Sequence, residues 1–330
     1  MESVSYCNQS DLFTVTTKHL DTGVLTTETF NWVVVATGHF SHPRVPDDVD
    51  GVDSFTGQVI HSSEVRDFDQ FVGKRVLCVG TGFSGIDITT QCVKYGAASV
   101  TISNKKARLN FGWPSDKVQE ASRAVLVCGP TVTFDDGKKA DFDVIVWCTG
   151  YNHSFPFLDS QLKLKTANVL YPNHLYKGVV FTQAADHKLF YMGMQNLVYS
   201  FPLYDLQAQL IVKLVSKEHS LPSRDQMVED IESFRTKEQD VSSVEDMFNY
   251  QSDYMIDLAD TLNVPCQADR RHLLHKWWSH FKSDPLNYRD RNYESQVTGN
   301  KGAPKQGRFV DILDEESRFN HLLKADIKNI

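Results

Sequence analysis

Six consecutive residues, Gly80-Thr81-Gly82-Phe83-Ser84-Gly85, have the types and spacing to hold a phosphorylated nucleotide. Gly80 permits a tight turn, Gly82 lets the backbone approach a pyrophosphate, and Gly85 lets a helix pack closely on a strand. A helix that opens here turns unpaired N–H groups and the positive end of its dipole towards the anion. The pattern alone is weak, and its surroundings decide what it means. Upstream, Arg75–Val79 reads as a buried strand. Downstream, Ile86, Thr89, Thr90 and Val93 keep helical spacing as far as Lys94, and Gly96 is a stop signal. Ala98 to Ser103 is a second strand, so the unit from Arg75 to Ser103 has the length of a dinucleotide-binding βαβ.

The cofactor is discriminated just past the second strand. An NAD site uses an acidic residue there to bind the ribose 2′-hydroxyl, and from Gly96 to Asn110 there is none. Lys105, Lys106 and Arg108 stand there instead, which favours a 2′-phosphate and hence NADP. Lys105 is nearest the strand end and is the first candidate; Lys106 and Arg108 read equally well as a solvated loop.

Other constellations are weaker. His272, His275 and His280 lie beside Trp277 and Trp278, with Cys266 and Asp269 upstream, but His280 falls off the helical row, so no metal site is expected. Six cysteines without a C-x-x-C suit a reducing, cytoplasmic setting, with Cys78, Cys128 and Cys148 as small buried hydrophobes in strand-like runs. No pair of acids reads as catalytic, and no catalytic residue is assigned.

The elements that must position the glycine loop are organised by a repeat. Phe13 to Thr17, a turn at Asp21-Thr22-Gly23, a strand from Val24 to Thr27 and the run Phe30 to Gly38 form the first copy. Thr131 to Phe134, a turn at Asp135-Asp136-Gly137 and the run Phe142 to Gly150 form the second. Each is a hairpin that feeds a buried strand ending in Thr-Gly. The offset from Gly38 to Gly150 is that of a duplicated domain and several-fold too long for a solenoid unit. Further on, Ser223 and Gln226 form a capping box for a helix that packs through Met227, Ile231 and Phe234. Residues from Gly299 onward read as a loosely held tail with a short helix at 314–324.

Composition is that of a globular chain of 330 residues, 41% hydrophobic and 23% charged. Its net charge of −8 gives no whole-molecule attraction for nucleic acid, and no apolar run approaches the roughly 20 residues of a membrane span. The stretch Met1 to Ser5 lacks a basic n-region and an apolar h-region, so secretion by a cleaved signal is not expected from it.

Several motifs together resemble the flavin-containing monooxygenases, and within them most of all the trimethylamine-oxidising branch. Trp147-Cys148-Thr149-Gly150-Tyr151 is similar to the family's F-A-T-G-Y linker, with Phe155-Pro156-Phe157-Leu158 following as expected. Phe55-x-Gly57-x-x-x-His61 resembles the identifying F-x-G-x-x-x-H motif, although its final aromatic position is Val65, with Phe68 close by to fill the space. Phe111-Gly112-Trp113-Pro114, Leu175-Tyr176-Lys177-Gly178-Val179, Gly193-Met194-Gln195 and Tyr288-Arg289-Asp290 resemble the trimethylamine branch in order and spacing.

The resemblance implies an α/β fold with two dinucleotide-binding domains, the Rossmann-like fold of flavoproteins. Its cofactors are FAD and NADP. NADPH reduces FAD, molecular oxygen gives a C4a-hydroperoxyflavin, and one oxygen atom passes to an amine nitrogen or a sulfide, while the protein places the reactants and excludes water. Gly80, Gly82, Phe83, Ser84 and Gly85 are then the NADP pyrophosphate site. Lys105 takes the place of a cation, often Arg, for the 2′-phosphate, without Arg's fork. Thr149 falls at the hinge near the nicotinamide, Gln195 approaches the flavin or else serves as a capping or solvent-facing amide, and His61 is a structural hydrogen-bonder at the domain junction. Residues 1–55 are expected to be part of the FAD domain, 56–150 the NADP-binding domain, and 151–330 the return to the FAD domain with C-terminal helices and tail. A homodimer is among the assemblies the resemblance allows.

The separation of Gly80 from Gly150, applied backward from Gly38, puts a first glycine loop ahead of Met1. The sequence is therefore expected to lack the first βαβ of the FAD domain and to bind FAD poorly alone, with an unpaired sheet edge. Two other readings compete with a monooxygenase: a nonenzymatic NADP-binding remnant, and a Baeyer–Villiger-type flavin monooxygenase, which Val65 leaves open and the trimethylamine-type blocks oppose.

Overall fold

The computed structural model describes residues 1–105, 109, 111–113, 116–166, 169–196, 198–266, 271–285, 294 and 299. Lys106, Arg108, Pro114, Asp269, the block 288–290 and the helix expected at 314–324 lie outside the described residues. The chain divides into two compact units, residues 1–109 with 117–276, and residues 110–116 with 277–330.

The first unit opens on an antiparallel sheet of β1 (Ser3–Cys7), β2 (Leu12–Lys18) and β3 (Leu25–Phe30). In β2, Phe13 and Val15 are buried and their neighbours are not, the period of two that a one-sided sheet imposes. β4 (Val33–Val35) follows and leads to Thr37-Gly38, where Gly38 takes φ 71°. β5 (His42–Pro43), β6 (Gln58–His61), β7 (Arg75–Val79), α1 (Phe83–Lys94), β8 (Ser99–Ser103) and β9 (Val118–Ala121) come next. A second antiparallel sheet of β10 (Ala124–Cys128), β11 (Thr131–Phe134) and β12 (Lys139–Asp141) then feeds β13 (Val144–Trp147), which leads to Thr149-Gly150 with φ 78° at the glycine.

The sequence repeat is thus a structural one, with one strand more per copy than the hairpins suggest: β1 and β10 complete three-stranded sheets. The copies differ in their surroundings. β13 pairs in parallel with both β6 and β7, and all four of its residues are buried. Among the described residues, β4 pairs with the strand Leu189–Tyr191 alone, and Val34 is 44% exposed.

The parallel sheet has the order β6-β13-β7-β8-β9. Trp147 is level with Val79, and Val79 with Ser103, so the carboxyl ends of its central strands finish side by side. That edge is where α/β sheets bind ligands. β14 (Tyr151–Asn152) pairs antiparallel with β5, so the connections that follow the two Thr-Gly turns run alongside each other. β15 (Leu175–Tyr176), β16 (Val180–Phe181) and β17 (Leu189–Tyr191) complete a four-stranded sheet with β4 at its edge.

Helices α2 (Ser200–Val215), α3 (Arg224–Gln239), α4 (Val244–Leu262) and α5 (Arg271–Ser283) follow. Leu203, Leu206 and Leu210 of α2 share one core with Met227, Ile231 and Phe234 of α3 and Tyr254 and Leu258 of α4. The Ser223–Gln226 capping box forms as expected. A second box, Ser243 with Asp246, opens α4; Asp in place of the usual Glu or Gln hides it in the sequence. In the second unit, Trp277 stacks on Phe281 at 5.5 Å, and Phe111 meets Phe281 edge-on at 5.7 Å.

Cys78 and Cys148 are buried as expected, but Cys128, at the end of β10, is exposed. The strand alternates, and Val127 takes the inward position beside it. Among the described residues, no helix is long and apolar enough to cross a membrane.

Candidate functional site

The glycine loop leaves β7 and enters α1. Gly80 has φ 114°, and its N–H donates to the Ser103 carbonyl at 3.0 Å. A Cβ on Gly80 would stand 2.4 Å from the Cys148 carbonyl oxygen, because β13 runs directly beside β7. A Cβ on Gly85 would stand 1.9 Å from the Gly80 carbonyl oxygen. Gly82 is different: its φ of −71° suits any residue, and a Cβ there meets nothing within 4 Å among the described residues. The fold therefore demands glycine at 80 and 85, whereas at 82 glycine leaves an open backbone face.

Gly82 is also the N-cap of α1 and makes no side-chain cap bond. Its carbonyl accepts the first helical bond from Ile86 N–H at 3.1 Å. Phe83 and Ser84, the first residues of the helix, are both exposed beside that face. Beneath the loop, Val76, Leu77 and Cys78 of β7 are buried, so the turn sits on a rigid strand.

Lys105 lies two residues past the end of β8. Its Nζ is 2.5 Å from Oδ2 of Asp48, the same oxygen that Nη2 of Arg123 reaches at 2.9 Å. The bond from Lys105, with the charge of Arg123 added to it, holds the Asp48 carboxyl below its usual pKa. Two cations thus converge on one carboxylate beside the strand end. Neither Asp48 nor Arg123 was singled out in the sequence, since both are distant in the chain from Lys105.

Thr149 stands past β13, and its hydroxyl donates to the Arg44 carbonyl. Arg44 N–H in turn donates to the Gly150 carbonyl at 3.0 Å, so the two connections are laced together. His61 joins them. Its Nδ1 accepts from Ser63 N–H at 3.1 Å, which leaves the proton on Nε2 to bond the Gly150 carbonyl at 3.0 Å. Burial holds its pKa below the ordinary histidine value, against the raising influence of Gly150 and Glu64. The identifying motif also gains a local reason: a Cβ on Gly57 would stand 2.6 Å from the Phe55 ring and 2.3 Å from the Asp143 carbonyl. Phe68 packs against Tyr95 and Phe71.

Gln195 is completely buried, in neither a capping nor a solvent-facing position. Its Nε2 donates to the Gly178 carbonyl at 2.8 Å, and its Oε1 accepts from Nε2 of Gln207 at 3.0 Å. Gln207 also donates to the Tyr254 hydroxyl at 3.1 Å and accepts from Gly193 N–H at 2.9 Å. The amide braces the turn 193–195 from within. Apolar spacing could not reveal this network, because Gln207 occupies a core position of α2.

Among the described residues, no group of three His, Cys, Asp or Glu side chains is placed to hold a metal ion. His275 is instead 3.2 Å from Oδ1 of Asn249 and meets the Phe248 ring edge-on.

The family described as flavin-binding monooxygenase-like matches residues 3–121 and 116–270. A trimethylamine monooxygenase of Methylocella silvestris is 39% identical over 314 residues, covering 94% of this chain and 69% of the relative. One from a Pelagibacter sp. is 37% identical, covering 88% of this chain and 65% of the relative. The crystal structure of Tmm from the same Pelagibacter strain superposes with a TM-score of 0.88 at 34% identity, covering 96% of this chain and 71% of that one. S-allyl-L-cysteine S-oxygenase from Allium sativum superposes at 0.74 with 28% identity, covering 88% and 66%. The mixed α/β fold with its parallel sheet is the fold of these enzymes. This chain belongs to the flavin-binding monooxygenase-like family.

Proposed function

We propose that the chain works in an NADPH- and FAD-dependent monooxygenase that oxygenates a soft nucleophile, an amine nitrogen or a sulfide sulfur. The observation that carries this reading is the contrast within the glycine loop. Gly80 and Gly85 are forced by close backbone packing, while Gly82 keeps open a backbone face at the start of a helix without a side-chain cap. An anion fits such a cradle. Gly80, Gly82, Phe83, Ser84 and Gly85 would hold the NADP pyrophosphate, with Lys105 at the 2′-phosphate and Arg123 beside it. Residues 56–150 form the NADP-binding part, and residues 1–55 with those from 151 onward form the flavin side.

For FAD, the residues present offer the end of β4 at Thr37-Gly38 and the turn 193–195 next to it, where His39 and His153 each keep one buried nitrogen with no partner among the described residues. FAD supplies the oxygen-activating chemistry when bound. Gln195 contributes by fixing the turn, and Thr149 by lacing the connections near the nicotinamide. The relatives named for trimethylamine oxidation and for S-oxygenation support a soft nucleophile as substrate. Six cysteines without a C-x-x-C suit a reducing, cytoplasmic setting.

Calorimetric titration of the chain with NADPH and NADH, followed by NADPH oxidation assays with added FAD and trimethylamine, tests the proposal. Tighter binding of NADPH and oxidation that rises with the amine are expected. Nucleotide binding without amine-dependent oxidation would reduce the chain to an NADP-binding module, and equal affinity for the two nucleotides would remove the 2′-phosphate site.

A further inference from the structure

His39 and His153 follow the two Thr-Gly turns, His39 directly after Gly38 and His153 shortly after Gly150. Although they are far apart in the chain, their rings are stacked, with centroids 4.7 Å apart and planes inclined by 13°. Nδ1 of His39 is 3.0 Å from the Gly193 carbonyl oxygen, and Nε2 of His153 is 3.2 Å from that of Met194. A carbonyl only accepts, so each of these nitrogens carries a proton. The other two nitrogens, Nε2 of His39 and Nδ1 of His153, are buried with no partner among the described residues.

Each ring is therefore neutral, and the two are in opposite tautomers. A second proton on either would place a buried cation against its neighbour. Burial is the main influence lowering both pKa values, and for His39 the charge of His153 adds to it. Among the described residues, the Phe40 ring 4.0 Å from His39 and the two carbonyls meet the pair and carry no charge, and Tyr204 packs on the turn itself, its ring where a Cβ on Gly193 would stand. Burial raises the Tyr204 pKa, so that phenol stays neutral too. The turn is held on its other side by Gln207 at the Gly193 N–H and at the Gln195 amide.

We infer that His39 and His153 are positioning residues, a neutral stacked pair of opposite tautomers that clamps the carbonyls of Gly193 and Met194 and so sets the face this turn presents to the flavin. The flavin at this turn rests on the function proposed above; the clamp itself does not. The pair also ties both inter-sheet connections to one turn, since His39 leads into β5 and His153 follows β14.

Long-range ¹⁵N–¹H NMR of the histidine-labelled full chain reads the tautomers directly. The expected spectrum has His39 protonated on Nδ1 and His153 on Nε2, with neither ring titrating near the ordinary value of about 6.5. Reversed tautomers, or two ordinary titrations, would overturn the clamp. Amide replacements give a second test, because Asn places its nitrogen where Nδ1 sits and Gln where Nε2 sits. His39→Asn and His153→Gln are expected to keep the melting temperature within about 2 °C of the parent, whereas the crossed pair, His39→Gln and His153→Asn, lowers it by about 4–8 °C. Equal losses from matched and crossed amides would refute the geometry. Where a crossed variant fails to fold, the parent's tautomers still decide. A chain that shows both tautomers yet takes up no added FAD keeps the clamp and counts against the proposed function alone.

Discussion

Lys105 concentrates the question of cofactor choice in one ammonium group. Its partner Asp48 is a carboxylate, and a 2′-phosphate arriving at Lys105 would meet that negative charge as well as the positive ones of Lys105 and Arg123. The Lys105–Asp48 pair is exposed enough to contribute little to stability, on the order of 0–1 kcal/mol, so the fold tolerates its loss. Lys105→Ala is expected to weaken NADPH by roughly tenfold or more, the loss of about one charge-assisted bond, and to leave NADH nearly unchanged. Asp48→Asn works in the opposite direction. It frees both cations and removes the repulsion, so NADPH affinity is expected to rise by about two- to fivefold, with NADH again the control. Titrations at two salt concentrations check both, since an exposed electrostatic gain shrinks as salt rises. An Asp48→Asn variant that binds NADPH less well than the parent would show that the carboxylate orients Lys105 productively.

At the scale of elements, the glycine loop separates what the fold needs from what the ligand needs. Gly80→Ala and Gly85→Ala each drive a Cβ into backbone, at 2.4 and 1.9 Å, and the first also at φ 114°. Both are expected to cost about 2–4 kcal/mol in chemical denaturation and to lose nucleotide binding with it. Gly82→Ala is expected to change stability by less than about 1 kcal/mol, since its φ is ordinary and the space is open, while alanine is a poorer N-cap than glycine. NADPH affinity should nevertheless fall by at least about tenfold, because the methyl group occupies the pyrophosphate's approach. If Gly82→Ala binds as tightly as the parent, the open face is not the cradle. The strand-loop-helix-strand unit could be read from the sequence because local spacing defines it: an apolar run, three glycines, a helical period and a stop all lie between Arg75 and Ser103. β1 has no such pattern, since its partner makes it a strand, whereas the apolar run around Cys128 marks β10 but not its place beside β11 in the repeat. His39, His153, Asp48 and the interior of the Gln195 network were invisible for a related reason. Each depends on a residue many positions away, and a buried amide or imidazole has no periodic signature.

At the scale of the whole first unit, Lys177 is the point where sheet and helices are joined. It sits in the turn between β15 and β16 with φ 48°, and its Nζ is 2.6 Å from Asp230 of α3 and 2.7 Å from Asp257 of α4. Its carbonyl accepts from the Tyr254 hydroxyl at 2.8 Å, which links the ion cluster to Gln207, Gln195 and the turn at Gly193. The next residue, Gly178, is fixed by the same network, since a Cβ there would stand 2.2 Å from both Gln195 Nε2 and the Tyr254 hydroxyl. Replacing Lys177 with Met keeps the stem and removes the charge, leaving two carboxylates facing each other in a largely buried site. The expected cost is about 3–5 kcal/mol in chemical denaturation, with α3 and α4 losing hydrogen-exchange protection together. Burial acts to lower the Lys177 pKa, but the bonds to Asp230 and Asp257 outweigh it and hold the folded-state value above the ordinary one. A raised folded pKa means that the unfolded chain releases its proton first as pH climbs. The stabilisation is therefore complete at neutral pH and is lost as pH rises from about 10.4 through the folded-state value. Denaturation profiles should show the parent losing stability over that alkaline window, and Lys177→Met lacking that component. Parallel profiles for the two proteins above about pH 10 would show that the cluster does not hold the helices to the sheet.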